Sequence, residues 1–237
     1  MEITARLLKR GKELTFGRAV DEETVKRVCE FRARVFSQEG IYNNVNSDED
    51  LWDSPSNPDS PRQNYLLYVR HGERIVGTLK LAGDRVVRPT LPIWDLKWQG
   101  GTLSETVKAY RDHLKMPKTQ AGGLAVDSSD WKLDGMVLET LLVGAWGIVT
   151  EKNLAPILVC SKPDKTHLYV KRLGAVKLGS GNFYYNPSVS LDMKPADILH
   201  ISKDNLDSVM ETRYGARGWK AIGDRSNMEI AASRFKY

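Results

Sequence analysis

Between residues 121 and 191 short apolar runs alternate with helical patterns, and this alternation narrows the topologies open to the chain more than any other feature. Ala121-Gly-Gly-Leu-Ala-Val-Asp127 reads as a buried strand ending in an aspartate. A turn through Ser128 to Asp134 follows, and Met136 to Lys152 reads as a long apolar helix. Pro156-Ile-Leu-Val-Cys160 is a short apolar strand and Lys165 to Leu173 a second helix. Gly174 starts a new strand, and Phe183 to Leu191 completes the sheet. Strand–helix–strand–helix–strand order calls for crossover connections and parallel pairing.

The first half has a different grammar. Tyr65–Arg70 and Arg74–Leu81 are β-branched and aromatic runs around His71-Gly72-Glu73, which is a hairpin signal and implies antiparallel strands. Before it, Ile3 to Leu8 alternates as a short strand. Asp21-Glu22-Glu23 opens a helix, since acids suit the positive end of the helix dipole. Val25, Val28, Cys29, Phe31, Val35 and Phe36 give that helix one apolar face. Parallel and antiparallel signals in one chain predict a single α/β domain over 1–237, a mixed twisted sheet flanked by helices. Residues 83–119 read as an irregular insertion with a helix at Ser104 to Leu114. Residues 192–237 read as a C-terminal extension with one helical segment, Asn205 to Arg213, and little else that is regular.

Composition removes several classes of function. No window approaches the roughly 18 apolar residues that span a bilayer, and the first residues carry charge throughout, unlike a secretory signal. A cytoplasmic protein with no integral membrane association is the expectation. The two cysteines, Cys29 and Cys160, and four scattered histidines show no metal-ligand spacing, so no metal site is expected. The net charge of +5 is dispersed, without the basic and aromatic interleaving of RNA-binding modules, which argues against nucleic acid.

Some residues invite chemical readings beside plainer ones. The turn before the long helix, with Lys132 and Gly135, offers free N–H groups and a positive dipole suited to a pyrophosphate, or is an ordinary strand–helix connection. Asp48, Asp50 and Asp53 either recognise an ammonium group, position the first helix through Arg32 and Arg34, or are solvated turn residues. Lys80 is a surface lysine, or a partner for a carboxylate if it points with Thr78 into a cleft. Cys160 has no activating neighbour in sequence and reads as a core thiol. Lys162, Lys165, Lys171, Arg172 and Lys177 surround the second crossover and suit an acidic carrier protein, coenzyme A phosphates or bulk water.

Several motifs come in a recognisable order. Arg32-Ala-Arg34-Val35-Phe36 lies on the first helix, with Tyr42 six residues later and Asp48-x-Asp50-Leu51-Trp52-Asp53 beyond. The hairpin carries Tyr65-Leu-Leu-Tyr-Val and Ile75-Val76-Gly77-Thr78-Leu79-Lys80-Leu81, and then come Gln120-Ala-Gly-Gly-Leu-Ala-Val-Asp127 and Leu168-Tyr169-x-x-Arg172-Leu173-Gly174-Ala175. From Ala5 to Val189 this ordered set resembles the GNAT superfamily, and within it the acyl-homoserine lactone (autoinducer) synthases and N-acyl amino acid synthases. The resemblance implies a GNAT-like V-shaped opening between Leu124–Asp127 and Ile157–Cys160 that admits the pantetheine arm of an acyl thioester. It implies an oxyanion donor on the backbone around Leu124, Ala125 and Val126, and Tyr169 beside the departing thiol. Arg32, Asp50 and Asp53 would shape the catalytic centre. Phe36, Tyr42, Trp52 and Lys80 would contact substrate, and Lys132, Gly135, Lys162 and Arg172 the donor.

Two departures qualify the likeness. Gln120 stands where those enzymes have Glu, and an amide is no base near neutral pH. Gly123 stands where they have Arg. Their loss argues against S-adenosylmethionine as acceptor. The expected activity is N-acylation of a small amine such as an amino acid, with a medium or long acyl chain delivered by acyl carrier protein and no permanently bound cofactor. An acyl-coenzyme A-dependent acyltransferase and a catalytically silent ligand-binding protein are the alternatives.

Overall fold

In a computed structural model the described residues are 5–9, 12–39, 65–83, 98–99, 119–127, 129, 131–152, 154, 156–184, 193–209, 211–212 and 228–231. The strands are β1 (Ala5–Lys9), β2 (Lys12–Arg18), β3 (Tyr65–His71), β4 (Arg74–Gly83) and β5 (Trp98–Gln99), then β6 (Thr119–Val126), β7 (Ile157–Ser161), β8 (Val176–Tyr184), β9 (Met193–Ile201) and β10 (Met228–Ala231). Among the described residues the helices are α1 (Glu22–Gln38), α2 (Trp131–Glu151) and the two-turn α3 (Thr166–Leu173). Residues 203–209 form a further helical segment.

All these strands join one mixed sheet in the order β10-β1-β2-β3-β4-β6-β7-β9-β8-β5. The hairpin β3–β4 pairs antiparallel, and β6 pairs parallel with β7 through α2. The apolar stripe of α1 covers one face of the sheet. There Val28, Phe31, Val35 and Phe36 pack with Leu66, Tyr68, Ile75 and Ala125. Asp21 caps that helix, its Oδ1 accepting from the Thr24 N–H at 2.7 Å, with Glu22 and Glu23 in the first turn. The opposite face carries the larger core around α2, with Leu67, Leu79 and Leu81 of the hairpin beneath Val137, Leu141 and Trp146. Missing side chains bring α2 close: a Cβ on Gly144 would stand 2.4 Å from the Phe16 ring, and one on Gly77 would stand 2.4 Å from Val137.

The structure corrects the sequence reading in four places. Lys12–Arg18 forms a strand, β2, that the sequence pattern did not predict, with Leu14 and Phe16 on its core face fully buried. The start of α2 lies at Trp131, five residues before the expected start at Met136, so most of the expected turn is helix. The supposed extension contributes β9, which lies between β7 and β8 and pairs antiparallel with both. The second crossover therefore does not end in a strand beside β7. Burial explains the exchange: Ile198, Leu199 and Ile201 of β9 are almost wholly enclosed, whereas glycine-bearing β8 is partly exposed. Lastly, β10 pairs parallel with β1. The expected helix at Ser104 to Leu114 lies outside the described residues.

Candidate active site

β6 and β7 pair at only three positions, Thr119–Ile157, Gln120–Leu158 and Ala121–Val159. β6 then continues to Val126 with no pairing to β7, and the sheet splits. A bulge in β6 marks the split. Thr78 of β4 faces Ala125 and Lys80 faces Gly122, so β6 spends one more residue than β4 over the same length. Gly123 absorbs the extra residue at φ +61, which glycine adopts without steric cost. Two neighbours hold this bulge: Thr78 Oγ1 donates to the Gly123 carbonyl at 3.3 Å, and the Arg32 side chain packs against Gly123. Arg32 is only 3% exposed.

The opening is a cleft of about 600 Å³ that passes from one face of the sheet to the other. Phe36 and Glu39 of the α1 end line it on one side, Leu138 and Leu142 of α2 on the other. Gly122, Gly123, Leu124 and Val126 form the β6 wall; Val159, Cys160, Ser161 and Lys162 form the β7 wall. The Asp127 N–H donates to the Val76 carbonyl of β4 at 2.9 Å. Because successive N–H groups of a strand point to opposite edges, the Val126 N–H is directed away from β4, toward the gap.

Two titratable groups share the deep end. Burial, reinforced by Cys160, pushes the Tyr169 hydroxyl up to about 12. Burial, reinforced by Asp197, also pushes the Cys160 thiol up to about 12. Both therefore stay protonated near neutral pH; Cys160 is a neutral wall and Tyr169 a hydrogen-bond donor. Asp197 ties the surrounding elements together, accepting from Thr166 Oγ1 of α3 at 2.7 Å and Ser180 Oγ of β8 at 2.8 Å, and pairing with Lys177 Nζ at 2.9 Å. Burial would raise its pKa, but hydrogen bonds from Lys177, Thr166 and Ser180 outweigh that and hold it low.

Six of the residues proposed from sequence meet in the cleft: Phe36, Leu124, Val126, Lys162, Tyr169 and Arg172. Lys162 spans its mouth, with Nζ 2.8 Å from Glu39 Oε2, and Arg172 Nη1 lies 3.0 Å from Glu139 Oε2. With the Lys177–Asp197 pair and Lys165 at 4.0 Å from Asp164, four of the five basic residues at the second crossover have a carboxylate partner inside the chain. Ala125 is buried on the α1 face and does not line the cleft. Lys80 is half-buried and shares that face with Thr78, since its register partners are Leu66 and Gly122. Gln120 precedes the split, in the paired part of β6. Lys132 and Gly135 are helical; as the fifth residue of α2, Gly135 lies past the four N–H groups that a helix leaves open. Tyr42, Asp50, Trp52 and Asp53 lie outside the described residues.

No protein-family model matches the chain, and no curated protein matches it by sequence. Solved structures do match. An N-acyl amino acid synthase, FeeM, from uncultured soil microbes aligns over 82% of this chain and 93% of its own, with a TM-score of 0.57 at 15% identity. The fold is that of the GNAT acyltransferases. A ribosomal-protein-S5-alanine acetyltransferase from Vibrio fischeri aligns over 85% of this chain and 98% of its own, with a TM-score of 0.51 at 12% identity. A probable acetyltransferase from Staphylococcus epidermidis aligns over 80% and 99%, with a TM-score of 0.51 at 10% identity. At these identities the likeness fixes the GNAT architecture alone. Among the described residues no helix is long and apolar enough to cross a membrane, and no cluster of three or more side chains could hold a metal ion.

The sequence reading missed cleft residues that carried a usable signal. Leu138 and Leu142 are four apart on α2 and so face the same way. Glu39 carried none, because it is brought to the cleft only by the length of α1.

Proposed function

We propose that the chain is an N-acyltransferase that moves a medium or long acyl group from an acyl carrier protein thioester to a small amine such as an amino acid, with acyl-coenzyme A as the alternative donor. The observation that carries this reading is the split between β6 and β7. It leaves the Val126 N–H directed toward the gap on one wall and a protonated phenol at Tyr169 in the same cleft.

The pantetheine arm enters between the splayed strands and places the thioester carbonyl against the Val126 N–H. A neutral amine attacks the carbonyl carbon, and the N–H holds the oxyanion that forms. Collapse of this intermediate breaks the C–S bond; nitrogen loses a proton and sulfur gains one. Tyr169 donates a hydrogen bond to the departing sulfur. Gln120 is no base, so the amine loses its proton to sulfur or to water. Cys160 remains a thiol, which favours direct transfer over an acyl-enzyme. Lys162 and Arg172 stand on the donor side of the cleft. Arg32 acts through Gly123 as a positioning residue, and Lys80 faces the acceptor carboxylate from the α1 side. Asp50, Asp53, Tyr42 and Trp52 complete the acceptor end in this reading, and Lys132 and the start of α2 take the pyrophosphate if coenzyme A is the donor.

The decisive experiment is thiol release from acyl carrier protein and acyl-coenzyme A thioesters, with and without a mixture of amino acids. Amine-dependent release names both donor and acceptor. Binding of a thioester without any release overturns the reading in favour of a silent GNAT-fold protein.

A further inference from the structure

Behind the cleft lies a second, smaller cavity of about 40 Å³, and its lining is almost entirely apolar. The two adjoin each other: Leu79, Ala121, Leu124, Leu142, Val159 and Tyr169 line both. Along α2 the passage follows one stripe, from Leu138 and Leu142 at the cleft to Trp146 and Val149 at the blind end. Leu138 to Trp146 is eight residues, so the passage runs for about 12 Å along the helix.

The blind end is built from the C-terminal part of the chain. Ile201 closes β9, Leu206 comes from the helical segment 203–209, and both line the small cavity with Trp146. Trp146 is 1% exposed, and its ring is held in place by that same segment: the indole Nε1 donates to Asp207 Oδ1 at 3.4 Å. The other Asp207 oxygen is engaged by Lys203 Nζ, one helical turn earlier. A hydrocarbon chain entering from the cleft would meet an almost wholly apolar lining, the Tyr169 hydroxyl apart, and would run against the buried Trp146 ring.

We infer that Trp146 and Leu206 form the end wall of the acyl pocket, so that the C-terminal segment sets the longest acyl chain the protein accepts. The inference rests on the proposed acyl transfer for its reaction but not for its binding. An acyl chain gains roughly fourfold in affinity per methylene buried, up to the length that reaches the wall. Beyond that length each added methylene must displace a side chain from a close-packed core or stay in the cleft, and the gain stops.

Two readouts test this on the full chain. The first is stabilisation against heat by saturated free fatty acids from butyrate to palmitate; the second is thiol release from the matching acyl thioesters. The wild type should show a sharp length limit in both. Leu206→Ala and Trp146→Phe should move that limit to longer chains, and Ala145→Leu, which adds bulk to the small cavity, should move it to shorter ones. Circular dichroism shows which variants fold, and a limit unmoved by any folded variant overturns the inference. If the fatty-acid limit moves while no thioester is turned over, the end wall stands and the proposed transfer fails.

Discussion

A Cβ placed on Gly123 would lie 3.0 Å from Arg32 Nη1 and 3.3 Å from its Cδ, so the bulge of β6 and the first helix are fitted to each other at a residue with no side chain. Gly123→Ala therefore meets two obstacles, the positive φ and the buried guanidinium. The backbone alone costs about 1–2 kcal/mol. Gly72, at φ +59 with nothing within 4 Å of its Cβ position, isolates that part. In denaturant titrations Gly72→Ala should lose about the backbone cost and Gly123→Ala clearly more, with a further drop in kcat because the cleft wall shifts. Equal losses would mean that Arg32 does not brace the bulge.

The Val126 N–H points away from the ladder with β4, so proline there removes a donor without removing a sheet hydrogen bond. Val126→Pro should reduce kcat by about 10²–10³-fold, the usual effect of losing one oxyanion donor. Ala125→Pro is the opposite case, since its N–H belongs to the β4 side, and it should chiefly lower the melting temperature. Full activity in a folded Val126→Pro protein would place the oxyanion elsewhere.

Tyr169 and Cys160 share the deep end of the cleft but should respond differently. Tyr169→Phe should lower kcat by about 10²-fold through loss of the donor to sulfur. Cys160→Ala should retain activity within a few-fold, because a thiol held up to about 12 is not a nucleophile at neutral pH. Trapping of an acyl group on Cys160, seen by mass spectrometry of the intact protein, would contradict direct transfer.

Asp197 links α3, β8 and β9 and titrates lower when folded than when unfolded. Its contribution to stability is therefore complete above the unfolded value, about 3.9, and is lost as pH falls through the folded value. The acid limb of the stability curve should flatten in Asp197→Asn, while the protein is less stable than wild type at pH 7. Urea melts from pH 7 down to pH 3 would show it. Parallel curves for the two proteins would assign the acid sensitivity to other carboxylates.

Wherever a single element could be recognised by its own periodicity, the sequence was informative. The apolar stripe of α1, the β3–β4 hairpin and the continuous apolar helix α2 are each local patterns, and all three are present. β6 is a strand as expected, but only Thr119 and Ala125 of it are buried, because its wall faces the cleft. β2 has the same alternation over only seven residues, with charged residues at both ends that weaken its strand signal. The place of β9 was not legible. Ile198-Leu199-His200-Ile201 reads equally well as an edge or a central strand, and only competition with β8 for the β7 edge decides between them.

The site divides in the same way. Phe36, Tyr169 and Arg172 belong to motifs that survive as linear patterns, and Lys162 to a basic cluster visible in the sequence. Glu39 and the Trp146–Leu206 wall do not, because they depend on where separate elements end in space. By itself the sequence determined α1, the β3–β4 hairpin, β6, α2, β7 and α3 in their order, with the amphipathic face of α1, all consequences of local sterics and side-chain spacing. Tertiary structure alone decided that β6 and β7 part after three residue pairs, that four of five basic residues are matched by carboxylates within the chain, and that the C-terminal segment closes the pocket. Those outcomes come from packing between residues distant in sequence, where burial and charge compensation are settled by the whole fold at once.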